Sequence, residues 1–224
     1  MPPPRHCRLS DPMKLLYQTH SPFARKVLVM AHEAGLAGRL EVIHHETSPT
    51  QRNEVVFQVN PLGKVPVLVL DDGTALFDSN VICEYLDDLH DGPRIIPAQR
   101  EARWRSLAWQ ALAQGMCEAG IVVRHETVRR PAPYRYPAMR DGQLEKLVAS
   151  YDFLERAWSQ HDASEPASCD MDIGRIALAT ALSWLAFRDL PAFEPGRPHL
   201  SAWYRGFIQR PSMLATPQEG DTVD

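Results

Sequence analysis

The spacing of apolar positions changes partway along this chain. Through about residue 90, short branched and apolar runs alternate with stretches of helical spacing; from about Ala98 onward strand signals vanish. Lys14 to Tyr17 reads as a first strand. Ser21-Pro22 then opens a helix, because proline at the first helical position gives up an N–H that has no intrahelical partner there. Phe23, Val27, Met30, Ala31 and Ala34 follow at helical spacing, and Gly35 suits the stop. Leu40 to His44 reads as a second strand, and Arg52 to Val59 as a polar, weakly helical stretch ending at Asn60-Pro61-Leu62-Gly63. Val65 to Leu70 is a strand introduced by Pro66, Asp71-Asp72-Gly73 is a hairpin turn, and Thr74 to Phe77 is the returning strand. Asp78-Ser79 caps a helix from about Asn80 to Leu89, apolar at Val81, Ile82, Tyr85, Leu86 and Leu89. The predicted order is β-α-β-α-β-β-α.

Asp91-Gly92-Pro93 breaks this pattern, and Ile95-Ile96-Pro97 reads as a short linker docking on an apolar surface. Four helices follow. The first carries Trp104, Leu107, Ala108, Ala111, Leu112 and Gly115 on one face and ends at the Pro- and Tyr-rich loop Pro131 to Pro137. The second carries Leu144, Leu147, Val148, Tyr151, Leu154 and Trp158. The third runs from Asp172 through Ile173, Ile176, Ala177, Thr180, Trp184 and Phe187, and the fourth uses Leu200, Trp203, Tyr204 and Phe207. Together they predict an amphipathic bundle. The fold class is therefore α/β followed by all-α. The expected organisation is a disordered leader over 1–12, an α/β domain over 13–90, a linker over 91–97 and an all-helical domain over 98–224.

Composition narrows the function classes. The 224 residues suffice for one large or two modest cores. With 24 basic against 28 acidic side chains the net charge is -4, and no Lys/Arg run is long enough for a nucleic-acid footprint. Arg129-Arg130 is the nearest approach and reads as solvated surface. No apolar run is long enough to span a membrane. Cys7, Cys83, Cys117 and Cys169 form no C-x-x-C pair, which argues against a zinc site or a disulfide framework and for free thiols in a reducing, cytoplasmic setting. Met1 to Pro12 holds four prolines and no apolar segment of the signal-peptide kind, and Met13 is an alternative start. His44-His45 lacks metal-ligand spacing, and no phosphate-binding glycine loop occurs, so no metal is expected.

Three segments carry the candidate chemistry: Ser21-Pro22-Phe23-Ala24-Arg25-Lys26, Asn60-Pro61-Leu62-Gly63-Lys64-Val65-Pro66 and Asp78-Ser79-Asn80-Val81-Ile82. Each is weak alone, but in this order, ahead of a helical region, they are specific. From about Met13 to the end the chain resembles the glutathione transferase family, bacterial-type members with a Ser-Pro-Phe active-site motif. The resemblance implies a thioredoxin-like N-terminal domain, a helical C-terminal domain, glutathione as co-substrate, a small electrophile as second substrate, a homodimer and a detoxifying transferase activity.

The resemblance also implies residue roles. Ser21 is the candidate catalytic group, with Thr19 as an alternative hydroxyl. A helix N-terminus favours an anion by up to ~2 kcal/mol when partly buried. A hydrogen bond from a hydroxyl to a thiolate adds ~1.5–3 kcal/mol. A thiol of pKa about 8.5 would thereby fall to near or below neutrality, at ~1.4 kcal/mol per unit. From the local pattern alone simple N-capping is the better explanation of Ser21; the other two motifs turn the balance toward the chemical role. Relatives with cysteine here form mixed disulfides with glutathione; serine cannot, which points to transfer of the sulfur. In the family the Val65-Pro66 bond is cis and leaves the Val65 backbone to pair with the cysteinyl part of glutathione. Lys64 is placed to meet the glycine carboxylate. Asp78 would take the glutamyl amine and Ser79 its carboxylate. Many members have Glu where Asp78 stands.

The electrophile site would lie between the domains, with Met116, Cys117, Gly120, Arg124, Tyr134 and Tyr136 as candidates, although core packing is the better explanation of Met116 and Cys117. The family's helical capping box corresponds here to Asp172 and Arg175; Asp172 can cap, whereas Arg175 cannot complete the box and is expected to pair with a carboxylate instead. The rival readings are a protein-binding relative of the fold, of the stringent starvation protein kind, and a glutathione-dependent isomerase, peroxidase or dehalogenase.

Overall fold

The computed structural model describes residues 12–160 and 171–220. Of the expected leader only Pro12 falls among them, and Cys7 and Cys169 lie outside them. Strands β1 (Met13–Tyr17), β2 (Leu40–His44), β3 (Val67–Val69) and β4 (Ala75–Leu76) form one mixed sheet in the order β2-β1-β3-β4. β1 runs parallel to β2, with Leu15 opposite Val42, and antiparallel to β3, with Leu15 opposite Leu68. A parallel pair requires a crossover, and α1 (Pro22–Glu33) supplies it. β3 and β4 are antiparallel and need only the Asp71-Asp72-Gly73 turn, where Gly73 has φ +84°, a conformation that side chains oppose. The ladder of β3 starts at Val67 rather than Val65, after Pro66, which has no N–H to give.

Successive side chains of β1 point to opposite faces of the sheet. Leu15 enters a core with Val27 and Met30 of α1 and with Ile82 and Leu86 of α3 (Ser79–Asp88). Leu16 faces the other way, against Val56 of α2 (Glu54–Val59), Val65 and Val67. Further on, Ile95 and Ile96 are buried, and their N–H groups donate to the Asp87 carboxylate at 2.8 and 3.3 Å.

Among the described residues the remaining elements are helical: α4 (Arg100–Arg124), continuing into a π turn over His125–Arg129, then α5 (Pro137–Ser159), α6 (Ile173–Phe187), α7 (Pro198–Phe207) and α8 (Pro211–Leu214). Nearly every side chain of α6 from Ile173 to Leu185 is buried, so it is the central helix. Asp172 caps it, accepting from the Arg175 N–H and from Ser106 Oγ at 3.0 and 2.7 Å, while the Arg175 guanidinium pairs with its other oxygen at 2.5 Å. The apolar face expected for α4 is not its core face. Trp104 is 62% exposed, and the buried side carries Ser106, Gln110, Ala113, Cys117 and Gly120 instead. Small residues let α6 approach closely there; a Cβ on Gly120 would stand 2.8 Å from Leu185, Leu190 and Trp184.

Candidate functional site

The chain leaving β1 turns at Gln18 to Ser21 and enters α1. Ser21 N donates to the Gln18 carbonyl at 3.0 Å, and Ser21 Oγ accepts from the Ala24 N–H at 3.2 Å. Ser21 is thus the N-cap of α1. Capping uses a lone pair of the hydroxyl, and a hydroxyl that accepts retains its own proton to donate. The capping and chemical readings of Ser21 are therefore compatible within one side chain.

Ser21 lines a cleft of about 470 Å³ between the start of α1, the segment before β3, and the far ends of α4 and α6. Lys64 and Val65 line the same cleft. The Val65-Pro66 bond is cis. Asn60, which the sequence did not single out as functional, holds this wall in place: its Nδ2 donates to the Lys64 carbonyl at 2.8 Å, and its Oδ1 accepts from the Leu62 N–H at 3.0 Å. The asparagine opening the Asn60-Pro61-Leu62-Gly63 turn was the available signal; its burial is seen only in the fold.

Pro66, Asp78 and Ser79 are not part of the cleft lining. Asp78 is exposed and caps α3, with Oδ1 accepting from the Asn80 N–H at 2.9 Å. Ser79, the first residue of α3, is buried. Thr19 is half-buried and also off the lining; its hydroxyl lies beside Gly220. Of the electrophile-site candidates, Arg124 lines the cleft. Met116, Cys117 and Gly120 are buried on the α6 side of α4, and Tyr134 and Tyr136 are exposed outside it.

The wall facing Ser21 belongs to the helices. Ile121, Val122, Arg124, His125 and Arg129 come from the end of α4 and the π turn, and Trp184 and Arg188 from the end of α6. The Trp184 indole N–H donates to the His20 carbonyl at 3.0 Å, fastening the residue before Ser21 to α6. Arg25 adds a second fastening, donating to Ser183 Oγ at 2.6 Å and to the Met213 carbonyl at 3.1 Å. Burial, aided by the neighbouring Arg188 charge, pushes the His20 imidazole down to about 4, so it is neutral at physiological pH.

Arg129 corrects the sequence reading: it lines the cleft, while Arg130 alone behaves as surface, paired with Glu126 at 2.9 Å. The cause is local. In an α-helix residues five apart differ by about 140° around the axis, but the π turn closes with Arg130 N donating to the His125 carbonyl, five residues back, at 2.8 Å. Residues five apart then share a face, and Arg124 and Arg129 both reach the cleft.

Cys83 and Cys117 are free and buried; burial, the dominant influence, pushes their thiols up to about 11 and about 12, which leaves them unreactive. Among the described residues no group of three or more His, Cys, Asp or Glu is gathered as for a metal. No helix of the described residues is long and apolar enough to cross a membrane.

Residues 20–89 match the family described as glutathione S-transferase, N-terminal domain. The uncharacterized GST-like protein YibF of Escherichia coli K12 is 33% identical over 205 residues, covering 91% of this chain and 98% of that one. A glutathione transferase family member from Pseudomonas fluorescens Pf-5, solved with bound glutathione, is 38% identical with a TM-score of 0.83, over 93% of this chain and all of that one. A structure from the same source holds S-(propanoic acid)-glutathione, at 38% identity and a TM-score of 0.81, over 92% of this chain and all of that one.

Proposed function

The chain belongs to the glutathione transferase family, and from that premise we propose that it binds glutathione, holds its sulfur as a thiolate at Ser21 and transfers it to a small electrophile. The observation that carries this reading is Ser21 itself: it caps α1 and lines the same cleft as Val65, beside the cis Val65-Pro66 bond. Relatives solved with glutathione and with a glutathione conjugate in place support the same ligand.

In this proposal the tripeptide lies along Val65, with Lys64 toward its glycine carboxylate and Asp78 and Ser79 toward its glutamyl end. The 13–90 segment is its binding domain, and Ser21-Pro22-Phe23 is the active-site motif. Binding releases the thiol proton to solvent. The Ser21 O–H donates to the resulting anion while the helix N-terminus supplies positive potential. The thiolate electron pair forms the new S–C bond, and the electrophile's leaving group departs with its own pair. Holding both partners in one cleft removes an orientation cost that is a large share of many such barriers. Glutathione serves as co-substrate, with no metal, and the setting is cytoplasmic detoxification.

We further propose a homodimer, formed through the uncovered face of α3 and α4. Val81 and Trp104 are 46% and 62% exposed there, and a groove of about 320 Å³ is lined by Leu107, Ala111 and Gly115 together with Asn80, Gln110, Gln114 and Glu118. Two exposed apolar side chains beside a groove of mixed polarity suit a subunit contact with an apolar centre and polar rim.

Calorimetry with glutathione, followed by conjugation of 1-chloro-2,4-dinitrobenzene, tests the reading. Saturable binding below millimolar concentration together with enzyme-dependent conjugation is the expected result. No binding at millimolar glutathione would overturn it in favour of a protein-binding role for the fold.

A further inference from the structure

His20 stands next to the capping serine, and the transfer step as drawn above gives its side chain no task. The residue is 6% exposed and lines the cleft beside Ser21. Its backbone is pinned on both sides: the His20 carbonyl accepts from the Trp184 indole N–H at 3.0 Å, and the Ser21 N–H donates to the Gln18 carbonyl at 3.0 Å. The ring is thereby held where the two walls of the cleft meet. Its Nδ1 is buried and has no hydrogen-bond partner among the described residues. Such an atom has lost its solvent without gaining a bond, and in a folded protein that calls for a reason.

With Nδ1 buried, only Nε2 of the two ring nitrogens can face the cleft. An orphaned N–H is rarer in protein interiors than an orphaned lone pair. The lone pair therefore sits on Nδ1 and the proton on Nε2, which makes Nε2 a donor. Around the ring stand Arg188 and Arg129 on the helical side and Glu46 and His44 at the end of β2. Burial first, and Arg188 second, hold the imidazole at about 4, so it donates as a neutral ring and is neither a base nor a cation at physiological pH.

A donor of this kind stabilises charge but does not relay a proton, because the second nitrogen, which would have to take up the replacement, has no partner. It suits an oxygen that turns negative during the reaction and is never itself protonated by the enzyme. An enolate, which takes its proton on carbon, meets that condition; an alkoxide does not. Resting on the transferase reading above, we infer that His20 is a second catalytic residue, its Nε2–H donating to the carbonyl oxygen of an electrophilic alkene conjugated to that carbonyl. The thiolate pair forms the S–C bond at the alkene carbon remote from the carbonyl. The C=C pair moves toward the carbonyl, whose oxygen becomes the enolate anion held by His20. The neighbouring carbon then takes a proton from solvent, replacing the one the thiol released, and no group leaves. Phe23, Ile121, Val122 and Trp184 on the same lining give the body of such a substrate an apolar surface.

The test compares benzylideneacetone, whose charge moves to a carbonyl oxygen, with 4-nitrobenzyl chloride, whose charge leaves on chloride with the C–Cl pair. Each kcat/KM is divided by its own uncatalysed rate with glutathione, and the ratio of the two is followed. His20→Phe, which keeps a flat ring and leaves no orphaned nitrogen behind, should lower that ratio about tenfold or more, as loss of one donor to a developing oxyanion implies. His20→Gln, which keeps an N–H, should restore part of it. The wild-type ratio should stay flat from about pH 5.5 to about 8, as a ring already neutral requires.

Equal losses on both substrates in His20→Phe would assign the ring a structural role and overturn the inference. A wild-type ratio that rises as pH falls through about 6.5 would also overturn it, by making the imidazolium the donor. So would turnover of the chloride without the enone, and each of these results leaves the transferase reading standing. Turnover of neither, with no glutathione bound, would take down that reading and this inference with it.

Discussion

Ser21 uses two parts of one hydroxyl. A lone pair receives the Ala24 N–H at 3.2 Å, and the proton is left for the cleft. Replacing Ser21 with alanine removes both, so two separable losses are expected: about 1 kcal/mol of stability from the cap, read by urea denaturation, and a conjugation rate about tenfold or more lower near pH 6.5. His20, next to it, has a pH signature. Its folded pKa of about 4 lies below the ordinary 6.5, so the unfolded chain binds the proton more readily, and stability must fall as pH drops from 6.5 toward 4. About 1–2 kcal/mol should be lost by pH 5 through this group, and His20→Gln should flatten that part of the stability profile by a similar amount. Ser21 was legible in the sequence because a helix start has its own chemical signature. Arg129 was not. Two adjacent arginines read as surface under α-helical periodicity, and only a π turn brings the first of them to the cleft.

At the scale of elements, α6 was found because it is buried all round, whereas β2 was found by its branched residues although none of its residues is fully buried. Periodicity failed on the face of α4, where the apolar-looking side with Trp104 points outward and α6 packs against small residues. Hydrophobicity ranks Trp104 and Leu107 above Ser106 and Ala113, but close approach to α6 selects on size. The capping of α6 was readable from Asp172 and Arg175, whereas the part played by Ser106 was not, since that contact spans 66 residues. Asp172→Ala should therefore cost about 3–5 kcal/mol, the range for removing one member of a buried ion pair. Chemical denaturation reads it directly, and a loss under 1 kcal/mol would mean that α6 is held by its apolar contacts alone.

Over the whole molecule, the order of three short motifs ahead of a helical region was enough to give the family. What the order could not give is where the two walls of the cleft meet. Trp184 on the His20 carbonyl and Arg25 on Ser183 set that meeting, across 164 and 158 residues of sequence. Nor could it show that Asp78 and Ser79 stand outside the cleft lining. The proposed dimer belongs to this scale. Sedimentation should give about twice the 25.3 kDa chain mass, and Trp104→Glu should shift the protein to the monomer. A wild-type monomer at micromolar concentration would refute the assembly while leaving the cleft intact.

The most direct test of the central claim is the ionisation of glutathione while it is bound. Thiolate absorbance followed against pH, with saturating glutathione and the wild-type protein, should place the bound thiol at least about one unit below its free value of about 8.5. Ser21→Ala, still binding glutathione by calorimetry, should return it most of the way. An unshifted thiol on the wild-type protein, or an equally shifted one on Ser21→Ala, would contradict the assignment of Ser21 as the group that holds the thiolate.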